Sequence, residues 1–286
     1  SEHIIFFGSE EQKQRYLPAL VAGKIISAGA FTEPDAGTDV ASTRTRAVKD
    51  GDEYVITGNK MFITNGTICD IMMVLAVTNP EAQVRHRRHS IILVEADRPG
   101  VTRKKIYGKM GIRASDTAEI AFDNVRVPQS NLIGKEGAGF YQLMHFFDAT
   151  RTTVAAQGVG LAQCALDKSL KYTQERHVFG RPLFDNQAIQ FQLAEMATRI
   201  ELARIMTYRA AWLVDQGKTN PAINAMAKYF AGETAVWVCD KALQMHGGYG
   251  YIDEYDVQRF YRDAKILEIY EGAKEAEKMT LARRLL

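Results

Sequence analysis

The sequence predicts an α+β chain in which an antiparallel β-barrel domain precedes an antiparallel four-helix bundle. Three observations point there. Between Ile26 and Leu132, short β-rich runs (EYVITG, KMFITN, IMMVLAV, SIILVEA, AEIAFDNVRV) are punctuated by Gly, Pro, Asp and Asn, the pattern of a barrel or sandwich. After Gly139 the texture changes to long Ala-, Leu- and Met-rich segments with only Pro182 and Pro221 inside them, as a helical bundle requires. In front of both stands SEEQKQRYLPALVAG, whose leading serine, early acids and helically spaced apolar residues predict one helix over Ser9–Ala22 closed by Gly23. The implied division is 1–26, 27–132 and 133–286.

The clearest periodicity lies between Asp185 and Gly217, where Ile189, Leu193, Met196, Ile200, Ala203 and Ala210 step by three or four residues. That spacing draws one buried stripe along a long helix. With 46% hydrophobic and 24% charged residues the chain has the composition of a soluble globular protein. A formal charge of +2 offers no electrostatic reason for a nucleic-acid or membrane partner, and no apolar run reaches bilayer length. Cys69, Cys164 and Cys239 are far apart without Cys-x-x-Cys spacing, so reduced, mostly buried thiols are expected, with neither a disulfide framework nor a zinc site. His145, His177 and His246 show no ligand-like spacing, and no metal is expected.

Several stretches admit two readings. FTEPDAGTD (31–39) is either a tight turn or a loop whose backbone N–H groups approach a phosphate or a polar ring edge. In KMFITN (60–65), Phe62 and Thr64 share a strand face; they are half-buried strand residues, or an aromatic and a hydroxyl that hold a flat heteroaromatic ring. ERHVFGRPL (175–183) ends a helix, yet Arg176 has the fork that matches pyrophosphate oxygens. QMHGGYG (244–250) is a helix end with a turn, or a close approach of backbone to a cofactor. RHRRH (85–89) reads as a solvated hairpin loop, with contact to an anionic ligand tail as the alternative. GVGLAQ near Gly158 follows no strand and is set aside as a dinucleotide fingerprint. In IYEGAKEAEK (269–278), Glu271 is either a cap for the helix that follows or a base aimed at a substrate.

Taken in order, FTEPDAGTD, GNKMFITNG, RHVFG, LFDNQAIQF, LQMHGGYG and RDAKILEIYEG resemble the acyl-CoA dehydrogenase family along essentially the whole chain. The resemblance implies a flavoprotein that oxidises an acyl-CoA thioester to its 2,3-enoyl-CoA, with a middle β domain and a C-terminal four-helix domain, usually as a homotetramer. Only the end of the family's N-terminal helical domain has a counterpart in this sequence, so an incomplete site, or reliance on the missing part or a partner chain, is expected of these residues alone. FAD is the implied cofactor. Phe31, Thr32, Gly37 and Thr38 would line it, Thr38 near the pyrophosphate; Phe62 would pack on the isoalloxazine and Thr64 would hydrogen-bond near its reactive nitrogen. Arg176, Phe179, Gln187, Gln244 and Gly248 match positions that bind FAD across a dimer interface. Phe147, Asp148 and Arg151 match positions along the CoA moiety, with Tyr270 and Gly272 beside the substrate.

Glu271 falls at the family's catalytic base, which takes the α-proton while a hydride leaves the β-carbon for the flavin. Its backbone N–H and a flavin ribityl hydroxyl would polarise the thioester carbonyl. Relatives often read YEGTSQIQ where this chain reads YEGAKEAE, so Ala273 and Glu275 replace a hydroxyl and an amide that contact flavin. The implied electron acceptor is an electron-transfer flavoprotein. The alternatives are an oxidase that hands electrons to oxygen and a partner-dependent or non-catalytic FAD-binding subunit. The implied location is the cytoplasm, or the mitochondrial matrix in a eukaryote.

Overall fold

The computed structural model describes residues 2–285. The chain divides into two compact units, one running to Lys109 and including Arg113–Phe146, the other comprising Met110–Ile112 and the residues from Phe147 onward.

The first unit opens with helices α1 (Glu2–Phe7) and α2 (Glu10–Val21). The start of α2 is a capping box: Ser9 Oγ accepts from the Gln12 N–H at 3.1 Å, and Gln12 Oε1 accepts from the Ser9 N–H at 3.0 Å. Two otherwise orphaned donors are thereby satisfied. Past the helix end, Gly23 takes φ 65°, a left-handed stop that glycine adopts without strain.

Eight strands follow: β1 (Ser27–Ala30), β2 (Arg46–Asp50), β3 (Glu53–Thr64), β4 (Ile71–Val77), β5 (His89–Glu95), β6 (Val101–Lys105), β7 (Thr117–Pro128) and β8 (Leu132–Ile133). They form one sheet in the order β6-β7-β3-β2-β4-β5-β8, with β1 paired to β4. The expected antiparallel barrel is corrected here. Among the described residues the path does not close, and β1 on β4 and β2 on β4 are parallel pairings. Period-two alternation dictates which face of a strand is buried; it does not dictate which neighbour the strand takes. Side chains on both faces of β4 and β5 are buried almost throughout, consistent with their unbroken apolar runs.

EYVITG and KMFITN, separate runs in the sequence, belong to the single strand β3, whose register on β7 shifts at Ile56/Gly58 and again at Lys60/Ile63. Gly58 lies at the first shift because a Cβ there would sit 2.5 Å from Thr45 Oγ1.

The second unit is built on helix α3 (Gly139–Glu175) from Phe147 onward, α4 (Gln187–Asp215), α5 (Pro221–His246), α6 (Val257–Ala264) and α7 (Lys274–Leu285), with a small hairpin of β9 (His177–Val178) and β10 (Arg181–Pro182) after α3. The predicted stripe on α4 faces the core. Leu193, Met196, Ile200, Ala203 and Ala210 are buried, Thr207 joins them, and Ile189 packs at their edge. Helix α5 begins at Asn220, whose side chain accepts from the Ala222 and Ile223 N–H groups at 3.0 and 3.3 Å, followed by Pro221 in the first turn. That pairing suits a helix start, where proline's missing N–H costs nothing. Its interior is dominated by buried Ala, which lets neighbouring helices approach closely, and one fully buried lysine, Lys228, interrupts it.

Candidate active site

In the first unit, the loop 31–39 and strand β3 are joined by a buried charge. Lys60 is fully buried, and its Nζ donates to Glu33 Oε1 at 2.9 Å, the Phe31 carbonyl at 3.0 Å and the Leu75 carbonyl at 2.7 Å. Glu33 also accepts from the N–H groups of Arg44 and Thr45, at 2.7 and 2.9 Å, and from Thr45 Oγ1 at 2.5 Å. Burial pushes the Lys60 ammonium down to about 8, with Glu33 acting in opposition. For Glu33, burial pushes upward, but Lys60 and the donors outweigh it and hold the carboxyl below its ordinary range. Both are therefore ionised at neutral pH. The loop is tied to the strand a second time where the Met61 N–H donates to the Thr32 carbonyl at 2.9 Å.

This anchoring sets the predicted ring platform. Phe62 sits in the second register shift of β3 with φ 61° and is 66% exposed. Thr64 is exposed too, while Ile63 between them is buried. Gly37 and Thr38 are exposed, and open space surrounds the position of a Cβ on Gly37. Phe31 turns inward instead, with its ring 5.9 Å from Phe146 and 5.4 Å from His3. Of the basic cluster, Arg85 pairs with Asp39 at 2.8 Å and His86 stacks on Phe140 at 4.0 Å, so part of it is engaged within the unit.

In the second unit, Glu271 adopts φ 54° and Gly272 φ 105°. The first intrahelical carbonyl of α7 is that of Ala273, which accepts from the Glu277 N–H at 3.1 Å. Glu271 therefore precedes the cap position and does not cap α7 as a local reading would have it. Its Oε2 accepts from Thr150 Oγ1 of α3 at 2.8 Å. The same stretch of α3 carries Phe147, Asp148 and Arg151, and a Cβ on Gly272 would lie 3.7 Å from the Arg151 guanidinium. Asp148 and Arg151 pair with each other at 2.9 Å, and Arg151 Nε lies 3.0 Å from Glu277 Oε1. From α5, Lys228 Nζ donates to the Gly272 carbonyl. Tyr270, half-buried, donates its hydroxyl to Gln157.

Glu277 is fully buried, and burial pushes its carboxyl up to about 7 against the pull of Arg151 and Lys228. Lys228 is pushed down by burial to about 8, opposed chiefly by Glu277.

The remaining predicted residues gather at the other end of α3 and α5. A cavity there is lined by Tyr172, Arg176, Met245, His246, Gly248 and Tyr249; exposed Gln244 lies in the last turn of α5. The Arg176 guanidinium stands 5.8 Å from the Tyr249 ring centroid. Phe179 occupies the tip of the β9–β10 hairpin with φ 49° and its side chain wholly in solvent. Gln187 is exposed at the first turn of α4.

Among the described residues six non-glycine positions have positive φ, and Phe62, Phe179 and Glu271 are three of them. Bulky side chains in the left-handed region are strained, and such strain concentrates where function demands a particular backbone. Sequence reasoning did not single out Glu33, Lys60, Lys228 or Glu277. A lysine within the small-residue run NAMAKYFAGETA was the available signal for Lys228, since an ammonium surrounded by alanines must find a partner.

These residues fit the flavin implied by the resemblance. An exposed aromatic with a hydroxyl on the same strand face suits a flat ring with a polar edge, and Arg176 with nearby glycine backbone suits phosphate oxygens. Among the described residues no group of three His, Cys, Asp or Glu could hold a metal ion, and no helix is long and apolar enough to cross a membrane.

Comparison with known proteins bears on the family the motifs resemble. Residues 28–125 match the family model "Acyl-CoA dehydrogenase, middle domain", and residues 137–286 match "Acyl-CoA dehydrogenase, C-terminal domain". A probable acyl-CoA dehydrogenase of Bacillus subtilis, YngJ, is 46% identical over 283 residues, which span 99% of this chain and 74% of that protein. The crystal structure of an acyl-CoA dehydrogenase from Geobacillus kaustophilus superposes with a TM-score of 0.98 at 43% identity, covering 99% of this chain and 75% of that one. A chain in a structure described as the electron transferring flavoprotein of Acidaminococcus fermentans superposes with a TM-score of 0.97 at 44% identity, covering 100% and 74% respectively.

Proposed function

This chain belongs to the acyl-CoA dehydrogenase family and is an FAD-dependent oxidoreductase; from that premise we propose that Glu271 is the base that removes the α-proton of an acyl-CoA thioester. The observation that carries the proposal is the backbone of Glu271: a glutamate held at φ 54°, ahead of the helix it could have capped, with its carboxylate fixed by Thr150. When bound, FAD would supply the ring that accepts hydride from the substrate's β-carbon.

The α-proton of a thioester is feebly acidic, so the base must be aimed before reaction begins. The Thr150 hydroxyl orients the carboxylate from α3, and Gly272 lets the chain run beside a ligand without a side chain of its own. The proton ends on Glu271 and the product is the 2,3-enoyl-CoA. In this reading Phe147, Asp148, Arg151 and Tyr270 border the substrate. Phe62, Thr64 and the loop with Phe31, Thr32, Gly37 and Thr38 hold the flavin from the first unit. Arg176, Phe179, Gln187, Gln244 and Gly248 form a second flavin-binding surface.

An electron-transfer flavoprotein as acceptor is supported by the description of the Acidaminococcus match. Homotetramer assembly is supported by the exposed apolar residues Leu202, Ile205, Tyr208 and Trp212 along α4. Cytoplasmic placement is supported by the bacterial relatives. The deciding experiment is Glu271→Gln. It keeps FAD bound and abolishes anaerobic bleaching of the flavin by acyl-CoA; bleaching at the original rate would sink the assignment.

A further inference from the structure

Glu271 and Gly272, with φ 54° and 105°, form two consecutive left-handed residues of which only the second is glycine. Such a conformation persists only where its surroundings over-determine it. Thr150 holds the Glu271 side chain. The backbone is held by Lys228, whose Nζ donates to the Gly272 carbonyl from the middle of α5. Glu277 lies directly under the same residue: a Cβ on Gly272 would meet its Oε1 at 2.3 Å. Both Lys228 and Glu277 have no exposed surface, and Arg151, itself paired to Asp148, approaches the Glu277 carboxylate at 3.0 Å.

Burying an ammonium and a carboxylate is costly, and an apolar pair of similar volume is often at least as stable. Fold stability therefore does not account for placing the two charges against Gly272. Geometry does, because a donor on a flexible four-carbon stem is what can reach its carbonyl from α5.

We infer that Lys228, with Glu277 as its counter-charge, is a positioning residue for α-proton removal, clamping the Gly272 carbonyl so that the Glu271 carboxylate stays aimed at the substrate. The inference rests on Glu271 being the base.

The test compares the FAD-loaded full chain with Lys228→Met and with Lys228→Met/Glu277→Met, using the best substrate of a saturated acyl-CoA panel, unlabelled and α-deuterated. A slackened base lowers kcat by about 100-fold, while KM and FAD binding stay within about threefold, and the α-deuterium isotope effect on flavin bleaching rises. The double variant removes both charges while Asp148 still pairs with Arg151, so it regains part of the thermal stability but not kcat. Two outcomes overturn the inference and leave the base assignment intact: wild-type kcat in Lys228→Met, or kcat restored in the double variant, with Glu271→Gln inactive in either case. Bleaching that survives in Glu271→Gln overturns the base assignment and this inference with it.

Discussion

Replacing Lys60 by methionine tests the charge that ties loop 31–39 to β3. The substitution keeps length and apolar stem, and removes the donor shared by Glu33, the Phe31 carbonyl and the Leu75 carbonyl. Glu33, 6% exposed, is left as a buried charge with only its partners at Arg44 and Thr45. Breaking a buried pair from one side costs about 3–5 kcal/mol, whereas removing both charges costs far less. At about 2–4 °C per kcal/mol for a unit of this size, the melting temperature falls by roughly 6–20 °C. Calorimetry is the right assay, because both tryptophans, Trp212 and Trp237, lie in the second unit and their fluorescence would miss the event.

The double variant Lys60→Met/Glu33→Met removes the uncompensated charge but orphans the donors of Arg44 and Thr45, so it should recover only part of the loss. The pH dependence follows from Glu33. Its folded value lies below the ordinary 4.5, so its contribution is present above that pH and is lost as pH falls through the lower folded value. Lys60→Met should flatten that acid limb. A single variant within 1 kcal/mol of wild type, about the size of an exposed ion pair, would refute the claim that this buried pair anchors the loop.

Three further outcomes are expected. Gly272→Ala, forced to φ 105° with its Cβ 2.3 Å from Glu277 Oε1, should cost about 1–3 kcal/mol in a denaturant titration and slow flavin bleaching. Glu277, raised from 4.5 to about 7, contributes stability that is complete below pH 4.5 and lost as pH rises towards 7; Glu277→Gln should remove that decline from melting curves taken across this range. Phe179→Ala should change stability by less than about 0.5 kcal/mol, because the ring touches solvent only. Equilibrium dialysis should nevertheless show weaker FAD binding, and unchanged affinity would remove the hairpin tip from the flavin site.

What the sequence disclosed was local. Ser9 and Gln12 wrote the start of α2 in four residues, and the stripe from Leu193 to Ala210 wrote the buried face of α4. What it hid depended on distant partners. Gly58 looked like a break between strands because its reason for being glycine, Thr45, lies elsewhere in the chain. The parallel pairing of Ser27–Ala30 with Ile71–Val74 joins segments far apart in sequence, and alternation carries no trace of it. Glu271 passed locally for a helix cap; its partner Thr150 is 121 residues away. Lys228 drew no reading of its own, because the carbonyl that explains it, that of Gly272, lies 44 residues further on.

The two enclosed lysines also make the protein a reporter of its own opening. Amine-reactive reagents modify ammonium groups that meet water, and Lys60 and Lys228 meet none in the folded chain. Either can be labelled only when its surroundings part, so their labelling rates follow the free energy of that parting. Lys60 lies in one compact unit and Lys228 in the other. Mass spectrometry of two peptides would thus time the breathing of each unit separately, with no probe introduced into the chain.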